Sequence, residues 1–271
     1  DLVQDEKNYV WNVTQEKRET NRHADMHVLG DYCYVSYGLR PNSDEKTAKG
    51  EFKKEDLISE IEDGTPRRKY IEGKDIERYS VKRIRYLEYG SERSPAKLVR
   101  PTFKEWFEHS KIMFSKFGGL SGILNNKDFL LHNDTVIGAM LWKDLHGVEN
   151  KSIASSIKKF STMSREDMEK LSETVDLRFL LGVMNSRYAN ILLASIRGDD
   201  FNTYPEYIRN IPIPSATPAQ QKPIIALVDK ILTAKKANPQ ADTSKEEAEI
   251  DRLVYALYGL SEDEIKVVEG R

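Results

Sequence analysis

Apolar residues recur along this chain in two rhythms. Ile224, Ile225, Leu227, Val228, Ile231 and Leu232 form one face of a helix expected over 219–236. A second stripe, Ile250, Leu253, Val254 and Leu257, ends at Gly259. Before it, Thr243-Ser244 followed by Glu246-Glu247 offers a capping box, and Ser261-x-x-Glu264 starts a further short turn. Leu177, Leu180, Leu181, Val183, Met184, Tyr188, Ile191 and Leu192 predict a single helix over 176–195.

Upstream the rhythm is that of strands. Val28, Tyr32, Tyr34, Val35 and Tyr37 precede the turn Gly38–Pro41, and β-type runs are expected at 69–71, 79–87, 111–119 (ending in glycines), 129–131 and 135–142. Short helices are expected near 55–61 and over 97–109. Asp63-Gly64-Thr65-Pro66, the Gly73-Lys74-Asp75 corner and Asn125–Asp128 punctuate the series. Pro205, Pro212, Pro214, Pro218 and Pro223 fix φ and withhold backbone donors, so 210–214 is read as an extended edge or connector. The pattern predicts an α+β chain: a lead-in over 1–27, a body over 28–215 with a twisted mixed β-sheet and peripheral helices, and an antiparallel helical hairpin over 216–271.

Composition changes that picture in two respects. With 39% hydrophobic residues the 271-residue chain can build a core, and no stretch approaches 18 consecutive apolar residues. No charged-then-apolar leader opens the chain, and Asp1 in place of an initiator Met suggests an excised piece. The single Cys33 excludes an intrachain disulfide framework and fits a reducing cytoplasm. The net charge of −2 conceals an asymmetry: fourteen basic residues face seven acids between Gly64 and Leu120, while four face nine from Asn238 onward. Aromatics are interleaved with that basic segment at Tyr70, Tyr79, Tyr86, Tyr89, Phe103, Trp106, Phe107, Phe114 and Phe117. Such a mixture suits a phosphate backbone.

Catalytic chemistry finds little footing. Asn238-Pro239-Gln240 lacks the second proline and the ring of a methyltransferase motif, and the glycines of 117–122 read as a turn rather than a cofactor cradle. Asp44, Glu51 and Lys53 resemble a metal-dependent nuclease triad but lie on a charged loop, which reads as a solvated face. His23 and His27, with Asp31 and Cys33 nearby, have zinc-compatible spacing without a second ligand pair. The isolated chain is read as non-catalytic, without metal or cofactor. A nuclease and a protein–protein adaptor working through its C-terminal helices stand as the rival readings.

Several stretches together resemble the target-recognition region of bacterial restriction–modification DNA methyltransferases. HVLGDYCYVSYGLRP resembles the entry of such domains. YIEGKDIERYSV resembles the Gly-x-Asp-Ile-x-Arg-Tyr element of the C-terminal specificity domain in combined methylase–restriction enzymes, and FLLGVMNSRYANILLASIRG their Asn-Ser helix. NIPIP and the following AQQKPIIALVDKIL are similar to the proline connector and Gln-Gln helix start of type I specificity subunits. LVYALYGLSEDEIKVVEG is similar to the adenine-methylating members. The resemblance spans Val28 to Glu269. It implies a DNA specificity module serving a methyltransferase or nuclease domain or subunit. S-adenosylmethionine is then expected only in the missing methylase half.

In that reading Lys46, Lys49, Arg67, Arg68, Lys74, Arg83 and Lys116 are the candidate phosphate contacts. Arg40, Asn42, Asn125, Asn126, Arg197 and Asn202 can make paired hydrogen bonds to base edges. The basic loops are expected to line one concave side of the body.

Overall fold

The computed structural model describes residues 26–40, 52–92, 94, 103–126, 128 and 130–270. His23, Asn42, Asp44, Lys46, Lys49 and Glu51 lie outside the described residues, as does nearly all of the lead-in expected over 1–27.

The chain enters through β1 (His27–Val28), a helical turn α1 (Leu29–Tyr32) and β2 (Cys33–Tyr37). One strand was expected here. The backbone turns because the Asp31 carboxylate accepts the Val28 N–H at 3.0 Å, and the Gly30 carbonyl accepts the Trp142 indole N–H at 2.9 Å. Then follow β3 (Ile58–Ser59), β4 (Arg67–Ile71), β5 (Ile76–Glu77), β6 (Ser80–Val81) and β7 (Arg85–Glu88). Helix α2 (Glu105–Glu108) leads to β8 (Lys111–Ser115), β9 (Gly122–Asn125), β10 (Leu131–His132) and β11 (Val136–Leu141). Tyr79, in the β5–β6 turn, takes φ +64° while buried, and donates its N–H to Gly122 at 2.9 Å.

In place of one sheet the described residues form two of four strands, with orders β2-β11-β8-β9 and β10-β4-β7-β3, and two minor pairs. The first is antiparallel throughout; the second is mixed, β10 running parallel to β4. Side-chain alternation explains why the first sheet reads as nearly continuous apolar runs. Cys33, Val35, Ile112, Phe114, Ile137 and Ala139 face a core shared with the helices. Tyr34 and Met140 face Tyr70 and Leu87 of the second sheet, while Met113 and Val136 meet Ile71. The first sheet is therefore a wall between a helical layer and a second sheet.

Next come α3 (Lys151–Phe160) and α4 (Arg165–Ser172), neither of which the apolar pattern predicts; their Ile153 and Met168 join the core on the second-sheet side. Both start at side-chain caps: the Asn150 carbonyl accepts the Ser152 N–H at 2.8 Å, and Ser164 Oγ accepts the Asp167 N–H at 3.1 Å. The helix expected over 176–195 is broken into α5 (Leu177–Asn185) and α6 (Arg187–Arg197), bent by 71°. Ser186 takes extended angles and its hydroxyl caps α6 through the Ala189 N–H. Asn185 turns aside to grip Gly122 through both amide atoms, at 2.7 and 3.0 Å. Local hydrogen bonds thus override an unbroken apolar stripe.

A short α7 (Pro205–Arg209) leads into β12 (Pro212–Ile213), which pairs antiparallel with β1. The expected hairpin follows as α8 (Pro218–Ala237) and α9 (Ser244–Tyr258), with α10 (Glu262–Glu269) behind it. Thr217 and Gln220 form a capping box at the start of α8. Gln221, buried, donates to the Thr174 and Ala216 carbonyls at 2.8 and 2.9 Å, which fixes the connector's angle. A Cβ on Gly182 would stand 2.6 Å from Ile224, so a glycine there lets α8 lie close against α5. Ile224, Val228, Ile231, Ile250 and Val254 accordingly share one core with the first sheet.

Candidate nucleic-acid interface

Five segments distant in sequence meet at one end of the first sheet. Leu39, following β2, bridges Asn133, and its N–H reaches the His132 carbonyl at 2.7 Å. The Gly73–Asp75 turn docks through the Gly73 N–H on Thr135 Oγ1 at 2.8 Å. A Cβ at Gly73 would come within 2.4 Å of the Thr135 carbonyl oxygen, so this approach needs glycine. Beyond β8, Phe117 forms a bridge with Asn202, and the Thr203 N–H bonds the Lys116 carbonyl at 2.9 Å. At the end of α6, the Arg197 guanidinium donates to the Gly118 carbonyl at 3.0 Å. Arg40, Lys74, Lys116, Arg197 and Asn202 are thereby collected on a single edge.

The cations there are held lightly. Arg40 pairs with Asp134 at 3.1 Å and is 73% exposed; Lys74 pairs with Glu72 at 3.0 Å and is 65% exposed. Exposed pairs of this kind contribute at most about 1 kcal/mol and can be exchanged for phosphate. The Lys116 ammonium lies 5.7 Å from the Tyr37 ring centroid and 5.5 Å from that of Tyr204. Burial, followed by neighbouring Tyr204 and Asp134, pushes the Tyr37 hydroxyl up to about 12. Phe117, Phe201 and Tyr204 are exposed on the same loops.

Under this edge lies a buried ionic knot. Glu72 accepts from Lys54 at 2.7 Å, from Tyr70 at 3.0 Å and from Arg85 at 3.0 Å, while Arg85 also reaches Asp75 at 2.7 Å. Burial alone would raise the Glu72 carboxyl, but Lys54, Lys74 and Arg85 together hold it far below the usual carboxylate range. The knot braces the corner that presents Lys74.

The remaining candidates fall elsewhere. Arg67 and Arg68 sit at the opposite end of β4; Arg67 is largely buried near Asp63 at 3.5 Å, and Arg68 is exposed. Arg83 makes a two-pronged pair with Glu60. Asn125 is buried and donates its amide to the Asp128 carbonyl at 2.9 Å, whereas Asn126 is exposed and accepts from Ser110. Arg85 and Lys111, both counted in the basic segment, are buried. Desolvation brings the Lys111 ammonium down to about 7. The accessible positive charge is therefore smaller than the sequence count, and more concentrated.

The pattern along the chain did not point to Tyr37, Phe201 or Tyr204, nor to Lys158 and Lys159 at the end of α3. Lys159 lies 3.8 Å from Glu206 on α7, and Arg209 stacks on Phe160 at 3.8 Å, placing this basic turn beside the Tyr204 loop. The available signal was the Asn150 cap ahead of Ile153, Ile157 and a lysine pair. Among the described residues no group of three or more His, Cys, Asp or Glu side chains could hold a metal. His27 pairs with Asp31 at 3.6 Å, and burial pushes the Cys33 thiol far up. No single described helix is long and apolar enough to cross a membrane.

A cleft of about 860 Å³ opens away from this edge, between α5, α8 and the outer strand β9. Leu124, Leu177, Ile225 and Leu232 line it, and Arg178 joins Asp176 at 2.7 Å and Asp229 at 2.9 Å at its border.

No protein-family model and no curated protein matches the chain. Two solved structures are similar to it along nearly its whole length. One comes from work on the complex assembly and conformational transition of the type I R-M system, with 16% identity, a TM-score of 0.43 and 98% of this chain covered. The other is the HsdS subunit from Thermoanaerobacter tengcongensis, with 16% identity, a TM-score of 0.40 and 99% covered. The chain spans 57% and 56% of their respective lengths.

Proposed function

We propose that this chain is a sequence-specific double-stranded DNA recognition module of a restriction–modification enzyme, without catalytic residues of its own. It directs adenine methylation or cleavage carried out by a partner domain or subunit, and that partner holds the S-adenosylmethionine. The observation that carries this reading is the gathering of Arg40, Lys74, Lys116, Arg197 and Asn202 on one sheet end from four separate segments. Lys74 and Lys116 grip phosphates there; Arg40, Arg197 and Asn202 have the donors and acceptors for base edges. The hairpin over 216–271, acidic from Asn238 onward, keeps off the duplex and meets protein, with the α5–α8 cleft as the partner's seat.

Selection from a random duplex pool tests the reading. The two phosphate contacts, Lys74 and Lys116, give a salt slope of about −1.8, so affinity should fall about tenfold between about 50 and about 200 mM salt. Recovered duplexes should share a common sequence. Affinity that ignores salt, or a pool that stays random, would overturn the assignment.

A further inference from the structure

We infer that Phe201, with Phe117 beside it, enters the base stack of the bound duplex at one step, so that the site is chosen partly by how readily that step unstacks. This rests on the DNA reading above and adds a way of reading the site that needs no hydrogen bond. Phe201 is 81% exposed, the most exposed large apolar side chain among the described residues, and Phe117 is 44% exposed. Phe117 and Phe201 stand on the two limbs of one bridge with Tyr204 exposed nearby, and an apolar group of that kind marks an interaction site.

The loop that carries them is fastened rather than loose. The Phe117–Asn202 bridge joins its two limbs, Arg197 ties the Gly118 carbonyl, and Asn190 accepts the Leu120 N–H at 2.7 Å. On the far side the Tyr207 hydroxyl donates to Asp200. Both rings are therefore presented at a fixed height within one residue of the same bridge. Lys116 stands at its base, placed to hold a phosphate beside an inserted ring, and Arg197 lies next to it with donors for a base edge. Phenyl rings carry no donor or acceptor, so stacking is the contact that bases offer them. Insertion costs least at pyrimidine–purine steps, which should be enriched opposite the loop.

The test places 2-aminopurine at successive positions of a duplex recovered by selection and reads its emission with the full chain bound. The expected result is a several-fold rise at one step. Phe201→Ala abolishes it and weakens binding about tenfold, Phe117→Ala diminishes it, and Phe201→Trp restores it. The exposed position predicts unchanged melting for all three variants. Flat emission at every position, with the duplex still bound and salt-sensitive, overturns the insertion and leaves the DNA reading standing. A Phe201→Ala variant that keeps both the rise and the affinity overturns it too. If no duplex is retained from the pool at low salt, the DNA reading itself falls.

Discussion

The two four-stranded sheets differ in sequence, the first nearly all apolar along its strands and the second carrying Arg67, Arg68, Lys69 and Arg85 within them, and the cations at their margins are disposed of in different ways. In the second sheet, Arg85 is neutralised by Glu72 and Asp75 and Arg67 stands beside Asp63, both guanidiniums largely buried, while Arg83 makes an exposed pair with Glu60. At the end of the first sheet, Arg40 and Lys74 keep their own charged ends in water, although the partner of Lys74 is the buried Glu72, and Lys116 rests on tyrosine rings. A buried pair leaves nothing for a ligand, because breaking it strands a desolvated charge. An exposed pair can trade its partner for phosphate at little cost. The lesson is that a stretch's net charge says less about nucleic-acid binding than the burial of each cation itself.

Four substitutions can break or sharpen this contrast. The largest effect is expected from Glu72→Ala, which leaves Arg85 with Asp75 alone in a buried setting. A loss of about 3 kcal/mol or more should appear in denaturant unfolding. Next comes Lys111→Met. Lys111 titrates near 7 in the folded chain and near about 10.4 when unfolded, so the unfolded state binds the extra proton between those values. Wild-type stability therefore rises with pH across that window. The methionine variant should melt higher by several degrees at pH 6 and lose that advantage toward pH 10. Fully buried His132, brought down to about 3 by burial and by Lys111, has the same sign at lower pH: stability falls as pH drops from the ordinary imidazole range.

Lys116→Ala should leave melting nearly unchanged while weakening every duplex alike and flattening the salt slope by about 0.9. The smallest effect belongs to Arg83→Ala: binding within about twofold and stability within about 0.5 kcal/mol, since its pair with Glu60 is exposed. A large binding defect in Arg83→Ala with none in Lys116→Ala would reverse the assignment of the two sheets.

Much of the fold was legible because local chemistry and burial agreed. The strands 111–115 and 136–141 announce themselves by being apolar on both faces. Ser261 with Glu264 marks a helix start at the expected place, whereas Thr243, expected to open a capping box, makes no side-chain cap on α9. Legibility failed where one side chain decided the backbone: Ser186 cutting a continuous stripe, Asp31 folding a strand into a turn, Asn150 starting a helix with few apolar positions. The site was harder. Lys116 and Arg197 could be nominated by type, but their meeting depends on a bridge between Phe117 and Asn202 that nothing local encodes. Arg85 and Lys111 were counted as surface charge because composition cannot see burial.

The break at Ser186 also makes α6 a lever. Its fulcrum is held by the hairpin, since Asp251 on α9 accepts the Arg187 N–H at 2.8 Å and pairs with the Arg187 side chain at 3.2 Å. Its tip carries Arg197. An arm of eleven residues is about 16 Å long, so a swing of about 10° at the fulcrum would displace that guanidinium by about 3 Å. Such a displacement equals the length of a hydrogen bond, so a push on the hairpin of that size would break the Arg197–Gly118 contact at the far end of the helix.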